Sequence, residues 1–574
     1  MATRAAQLEA LSSRGSDPSA PLDVLVIGGG VTGAGIARDA AYRGLSVGLA
    51  EMEDLAFGTS SRSSKLVHGG LRYLEQYQFG LVFEALSERH VLQTIAPHLV
   101  RPLGFLFPVY AGQRQKLWLI QAGMWLYDGL SMFRAPHRSL APPKVAEVEP
   151  TLTLERLRGA PLYWDCATDD ARLTLETAVD AARSGAAVAT YCRVEELLHG
   201  ADGRVCGARV HDRLGGRRFD VHARAVVNAT GPWTDRVLAM GSGTASSVLR
   251  PTKGVHLVVD HAKLPVQHAV VCFHPEDGRV LFAIPWGDRT YVGTTDTDET
   301  GDPGAVRATA EDVDYLIDAS NAYFPAHPLR RQDILSTWAG VRPLMAPQGR
   351  GEGVAESSVS REHQILTSDD GLITIAGGKL TTYRRMAAEC VDTALAQLAR
   401  RGTPVAAKAR GETAKAPLPG AEAWPEGGLE AVVAQVREAA PLPEATATLL
   451  ARTYGTRAVE VAARAAESPA LAAPIVRGRP EILAQVDHAV EEEMAACLAD
   501  VFVRRTQLFF RDRDQALGAE AARARMAELL GWDAEERARQ AEAYRREVAH
   551  SRAWREDDAR QTPAPELLQA PAAE

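Results

Sequence analysis

The sequence predicts an α/β fold, with a Rossmann-like dinucleotide-binding domain followed by a separate all-α domain. Three observations predict it. The stretch DVLVIGGGVTG runs the apolar residues Val24 to Ile27 straight into glycines at the G-x-G-x-x-G spacing. Two later stretches, ending near Asn228 and Gly377, again carry a short apolar strand into a glycine-bearing turn. Beyond a passage rich in Pro, Gly, Ala and charge, residues 402–428, the pattern becomes helical and dense in Ala, Glu and Arg.

Taken in order, residues 1–20 hold Arg4, Glu9, Arg14 and Asp17 without an apolar signal core and read as a disordered arm. Val24 to Ile27 suit a strand buried on both faces of a parallel sheet. Gly28 permits the tight turn, Gly30 lets a pyrophosphate reach bare backbone, and Gly33 lets helix and strand pack closely. Ala34 to Ala41 reads as the helix, whose N-terminus offers N–H groups and a positive dipole end to phosphate. Leu45 to Ala50 reads as the second strand and delivers Glu51 where a ribose-binding carboxylate belongs. Gly58 to Leu74, GTSSRSSKLVHGGLRYL, crowds hydroxyls, glycines and cations. Helices follow at Phe79 to Thr94, Asp170 to Ser184 and Val313 to Tyr323, with proline-rich stretches between the first two. Val205 to Val221 alternates around Gly215-Gly216 as a hairpin does, and residues 253–300 read as several strands. GLITIAGGKLTTYRR then runs a strand directly into a helix.

The domain expectation is thus an arm at 1–20, a composite domain at 21–401, a linker at 402–428, a helical domain at 429–550 and a disordered tail at 551–574. With 574 residues, 46% of them hydrophobic, the chain can bury sizeable cores in two or three domains. A net charge of −9 argues against general nucleic-acid binding. The cysteines lack C-x-x-C spacing and the histidines show no metal grouping, so no metal site is expected. No apolar run reaches bilayer-spanning length. The expected location is the cytoplasm, with any membrane contact peripheral.

Three glycine turns, hundreds of residues apart, build one extended site at a sheet edge. GGKLTTYR at a helix N-terminus would stabilise negative charge, as a reduced flavin carries on its pyrimidine ring. Together the turns favour FAD over NAD.

VIGGGVTGAGIARDAAYRGLSV, GTSSRSSKLVHGGLRYL, DDARL, NATGPW, PTKGVH, IPWGDRTYVGTTDTD, GVRPL and GGKLTTYR together resemble the FAD-dependent glycerol-3-phosphate dehydrogenases, over roughly residues 21 to 550. These are respiratory, peripheral-membrane enzymes. The resemblance implies an amino-acid-oxidase-like arrangement, the FAD domain interleaved with a substrate domain whose antiparallel sheet caps the flavin. It implies oxidation of sn-glycerol 3-phosphate to dihydroxyacetone phosphate, with electrons passing through FAD to membrane quinone. For FAD it implies Thr59, Ser60, Ser64, Lys65 and Leu66 along the phosphate-to-flavin path, Ala229, Gly231 and Trp233 farther along the cofactor, and Gly378, Leu380 and Thr381 at the ring.

A phosphate dianion near a flavin needs cationic donors, and arginine has the best shape. The candidates are Arg72, Arg342 and Arg361, with the Tyr73 hydroxyl and Lys379 alongside. The C2 hydroxyl must lose its proton to a base. His68, between Val67 and two glycines, is the first choice, and His256 in KGVH is the rival. An oxidase passing electrons to oxygen is the alternative activity, and a flavoprotein without turnover is the reading from another class. Oligomeric state stays open, a homodimer included. The segment 113–130, with Arg114 and Lys116 before Trp118, Trp125 and Tyr127, suits either an interfacial membrane helix or a buried one. The fallback membrane surface is the basic, aromatic run from Phe502 to Arg513.

Overall fold

The protein, seen in a computed structural model, is described over residues 3–74, 77–113, 116–241, 247–346, 362–408 and 410–557. The apolar run after Pro21 forms the strand Leu22–Ile27 at the centre of a sheet ordered Gln364–Thr367, Ile373–Ala376, Arg218–Asn228, Leu22–Ile27, Val47–Ala50, Ala187–Ala189. All neighbours in that order are parallel except the first pair. Val24, Leu25 and Val26 are buried on both faces, which is why the run is continuous and not alternating. The helix Val31–Tyr42 covers one face between Asp170–Arg183 and Tyr383–Arg400. Its small residues Ala34, Ala37 and Ala40 are fully buried and let helix approach strand. The hairpin around Gly215-Gly216 forms as expected, pairing Val205–Asp212 with the start of Arg218–Asn228.

A second, mostly antiparallel sheet has Leu249–Asp260 paired with Ile334–Met345 on one side and Arg289–Gly293 on the other. It continues through Val280–Trp286, Ala269–Phe273, Arg101–Leu106 and Leu157–Ala167 to Leu66–Val67. The chain therefore crosses between the sheets several times, so the two domains are interleaved. Arg101–Leu106 and Leu157–Ala167 lie where the sequence showed only prolines or nothing. Pro102 and Pro161 interrupt the alternation, yet both strands pair in full register.

Residues 429–550 are all-helical, from Gly428–Ala439 to Ala534–Arg552. The region is not separate, however. Phe502, Phe509, Phe510 and Tyr544 share one apolar cluster with Phe105, Tyr163, Val258 and Trp338 of the second sheet. Phe510 meets the Trp338 ring edge-on at 5.5 Å.

The N-terminal arm corrects the expectation of disorder. Arg4–Gly15 is a helix, capped by the Thr3 side chain. Leu11 is buried beside Leu22 and Leu25, and the Gln7 side-chain oxygen accepts from Val188 N–H at 2.9 Å. The linker is likewise held, because Arg38 donates to the Thr413 and Ala416 carbonyls at 3.0 and 2.9 Å. At the other end, helix continues to Arg552 and a turn Ala553–Arg555 buries Trp554, so order extends past 550. Residues 558–574 lie outside the described residues.

Candidate active site

One cleft collects the three glycine turns. Gly28, Gly30, Glu51, Thr59, Ser60, Ala229, Gly231, Trp233, Gly378 and Leu380 all line it, as do Lys379 and Pro343. At Gly28 φ is +109°, and a Cβ would stand 2.7 Å from the Ala229 carbonyl oxygen. A Cβ on Gly33 would stand 1.9 Å from the Gly28 oxygen, so this glycine keeps the helix against the turn instead of facing the cleft. Gly30 is different. Its φ of −72° suits any residue, and its only close neighbour is Ser60 Oγ, 3.2 Å from a built Cβ. Bare backbone there faces open cleft, the cradle a pyrophosphate requires.

Glu51 is buried at the end of Val47–Ala50 and accepts from Gly29 N–H at 2.5 Å and Glu53 N–H at 2.8 Å. Burial pushes its carboxyl up to about 7, against the pull of those two bonds. Ser60 Oγ accepts from Val31 N–H at 2.9 Å, so this hydroxyl caps the glycine-turn helix. Thr59 donates to the Val341 carbonyl at 2.6 Å and ties its turn to the strand that carries Arg342.

Lys65 departs from its expected place. Its ammonium is buried against Asp170 at 2.6 Å, and its side chain is absent from the cleft lining. Asp170 also accepts from the Ser63 N–H and hydroxyl at 2.9 and 2.7 Å, so the DDARL carboxylate fixes the shape of residues 63–65. Leu66 points into the apolar core. Any contact these two make with a cofactor must come from backbone. Ser64 Oγ lies 2.9 Å from His256 Nε2, away from the cleft lining.

His68 and Thr381, 313 residues apart, are locked together: His68 N–H donates to Thr381 Oγ1 at 3.1 Å, and that hydroxyl donates to the His68 carbonyl at 3.2 Å. The next N–H, of Gly69, is shared between the Tyr127 hydroxyl and Asp165, both at 3.2 Å. Tyr73 lies in the turn Leu71–Leu74, and the Lys379 ammonium sits 3.6 Å from its ring centroid. Arg342 is held by Asp296 at 3.0 Å, Thr294 Oγ1 at 2.9 Å and the Thr295 carbonyl at 3.2 Å. His256 stacks on Trp338 at 4.7 Å, and burial, with Arg342 and Lys65 nearby, holds it well below the usual histidine value. The Arg72 side chain and all of Arg361 lie outside the described residues.

Nothing in the sequence pattern places Cys192, Arg193 and Val194, on the strand Cys192–His199, at the cleft, nor Phe57, which packs 6.1 Å from Trp233. The available signal was that only two residues separate this strand from the sheet-edge strand Ala187–Ala189. Among the described residues no cluster of His, Cys, Asp and Glu could hold a metal.

Comparison with known proteins agrees with this geometry. Residues 23–384 match the FAD dependent oxidoreductase family, and 411–537 match the C-terminal domain of alpha-glycerophosphate oxidase. An aerobic glycerol-3-phosphate dehydrogenase of Bacillus subtilis is 40% identical over 89% of this chain and 92% of its own length. The chain belongs to the FAD-dependent glycerol-3-phosphate dehydrogenase family. A Mycobacterium leprae member, a glycerol-3-phosphate dehydrogenase, is 41% identical over 92% of this chain and 88% of its own. The X-ray structure of the Bacillus halodurans glycerol-3-phosphate dehydrogenase, complexed with FAD, is 34% identical with a TM-score of 0.78, covering 96% of this chain and 98% of that one. The L-alpha-glycerophosphate oxidase of Mycoplasma pneumoniae, 18% identical with a TM-score of 0.52 over 70% of this chain and 99% of that one, shares the fold.

FAD is the cofactor of this family member, and the lining fits it: the bare glycine backbone would hold the pyrophosphate, the buried Glu51 carboxyl a ribose, and the Gly377–Leu380 turn the ring. Gly30→Val tests the fit. The backbone there tolerates valine, so the variant should fold with unchanged circular dichroism yet purify without flavin absorbance. Full FAD occupancy would remove the glycine turn from the cofactor site.

Proposed function

We propose that the protein oxidises sn-glycerol 3-phosphate to dihydroxyacetone phosphate and passes the electrons to membrane quinone. The carrying observation is that three separate segments meet beside the cleft, although, among the described residues, Lys379 alone of the proposed substrate residues lines it. Lys379 and Pro343 line it, Arg342 precedes Pro343, Tyr73 lies under Lys379, and Thr381 holds His68. Bound FAD supplies the acceptor for the hydride leaving C2. Arg342, Lys379 and the Tyr73 hydroxyl bind the phosphate, with Arg72 and Arg361 as further proposed donors. His68 takes the proton of the C2 hydroxyl. His256, neutral and bonded to Ser64, supports the sheet behind Arg342.

The acceptor reading is supported by an exposed aromatic face. In the helix Leu117–Leu130, Ile120, Met124 and Tyr127 are buried, whereas Trp118 and Trp125 are 69% and 62% exposed. Leu119, Leu126, Met132 and Phe133 extend this surface, and Tyr77, Phe79 and Phe83 of the neighbouring segment are also exposed. One face of the helix is thus core, and the other is an exposed aromatic surface that supports the interfacial reading. Lys116 at the helix start is exposed, while Arg114 lies outside the described residues. Among the described residues no helix is long and apolar enough to cross a membrane. The fallback surface fails, because Phe502, Phe509 and Phe510 are buried and Arg504 and Arg505 pair with Asp54.

A large exposed apolar patch marks an interaction surface, and tryptophans beside a lysine suit a lipid headgroup boundary. Each buried apolar side chain is worth about 1.5–3 kcal/mol. Trp118→Ser with Trp125→Ser should therefore weaken binding to acidic liposomes by at least about tenfold. Activity with a soluble dye should persist and activity with membrane quinone should fall. Unchanged co-sedimentation would place membrane contact elsewhere. Quinone-analogue reduction without peroxide, on glycerol 3-phosphate and not on glycerol, tests the whole proposal. Oxygen uptake with stoichiometric peroxide would make the protein an oxidase.

A further inference from the structure

Far from the cleft, the end of the helix Ala534–Arg552, the turn Ala553–Arg555 and the start of the strand Ile334–Met345 line a cavity of about 340 Å³ that is open to solvent on one side. That is within the range of small-molecule sites. Its lining holds Arg331, Arg513, Arg552 and Arg555 but only one carboxylate, Asp514. The charges are unequally answered. Arg331 makes a bidentate pair with Asp314, and Arg513 approaches Asp260 at 3.4 Å. Arg552 instead donates to the Gln515 side-chain oxygen at 2.5 Å and the Arg513 carbonyl at 3.2 Å. Arg555 donates to the Ile334 and Leu335 carbonyls at 2.9 and 3.4 Å, with its guanidinium 5.2 Å from the buried Trp554 ring. These acceptors are neutral oxygens. Partial burial and the adjacent Arg552 push Arg555 below its ordinary value.

We propose that this cavity is a second anion site, taking a small polyanion of phosphate chemistry. Two neighbouring guanidiniums fixed by carbonyls keep fork-shaped donors free for a bidentate oxyanion. An anion also relieves their mutual repulsion. The site is distinct from the substrate clamp, because Ile334 and Arg342 lie eight residues apart on one extended strand, about 26 Å at the usual rise.

The test uses the FAD-loaded full chain and pyrophosphate as the soluble probe, with phosphatidylglycerol vesicles as the lipid-headgroup probe. Pyrophosphate should slow amide exchange in peptides spanning 331–335 and 551–556. Protection there by vesicles alone would keep the site and assign it to a headgroup. In calorimetry, the component of pyrophosphate binding assigned to this cavity should weaken about ten- to a hundredfold in Arg552→Gln with Arg555→Gln, each lost charge-assisted pair being worth about three- to tenfold. The kcat on glycerol 3-phosphate should not change. Should the double variant fold poorly, Arg552→Gln alone should weaken binding about threefold or more by the same reasoning. Absence of protection at both segments with both probes, or unaltered binding in a folded variant, overturns the proposal.

Discussion

His68→Ala is expected to slow anaerobic flavin reduction by about 10²–10⁴-fold, the range for a positioned proton acceptor, while FAD stays bound. The backbone of His68 is fixed on both sides, by Thr381 and through Gly69 by Tyr127 and Asp165, so the alanine variant loses the imidazole without releasing the loop. The defect should shrink at high pH, where hydroxide substitutes in part. His256→Ala should have the smaller effect. Its ring is buried, stacked on Trp338 and held neutral by desolvation and the nearby cations, a weak proton acceptor. Stopped-flow reduction of both variants decides the assignment, and a larger defect at His256 would reverse it.

Arg342→Ala is expected to raise the KM for glycerol 3-phosphate while leaving FAD in place. Removing one partner of a desolvated charge pair costs roughly 2–5 kcal/mol, or about 30- to 4,000-fold in affinity. Asp296, Thr294 and the Thr295 carbonyl hold the guanidinium in advance, so little ordering is left to be done on binding. The preference over unphosphorylated glycerol should narrow in parallel. A KM within about a factor of two of the parent's, far below the value of one pair, would remove Arg342 from the clamp.

The glycine turns were legible because steric need leaves so little choice: only glycine accommodates φ of +109° at Gly28 or the contact at Gly33. Side-chain destinations were less legible. Lys65 sits among phosphate-type residues in sequence, but its charge is claimed by Asp170, 105 residues later, which no spacing rule reveals. The run from Phe502 to Arg513 looked like a surface for the same reason. Arg504 and Arg505 are claimed by Asp54, some 450 residues earlier, and that buried pairing pins the helical region to the loop following Glu51. The N-terminal helix was missed because Leu8 and Leu11 carry nearly all its apolar contact, too few for a period to show. The strand Leu157–Ala167 was missed because Pro161 breaks an alternation that pairing with Arg101–Leu106 restores.

Anaerobic addition of glycerol 3-phosphate to the purified protein tests whether this substrate reduces the bound flavin. The oxidised flavin absorbance should bleach within the turnover time, one equivalent of dihydroxyacetone phosphate should form per flavin, and glycerol alone should leave the spectrum unchanged. A flavin that stays oxidised in the presence of excess glycerol 3-phosphate would contradict the proposed activity.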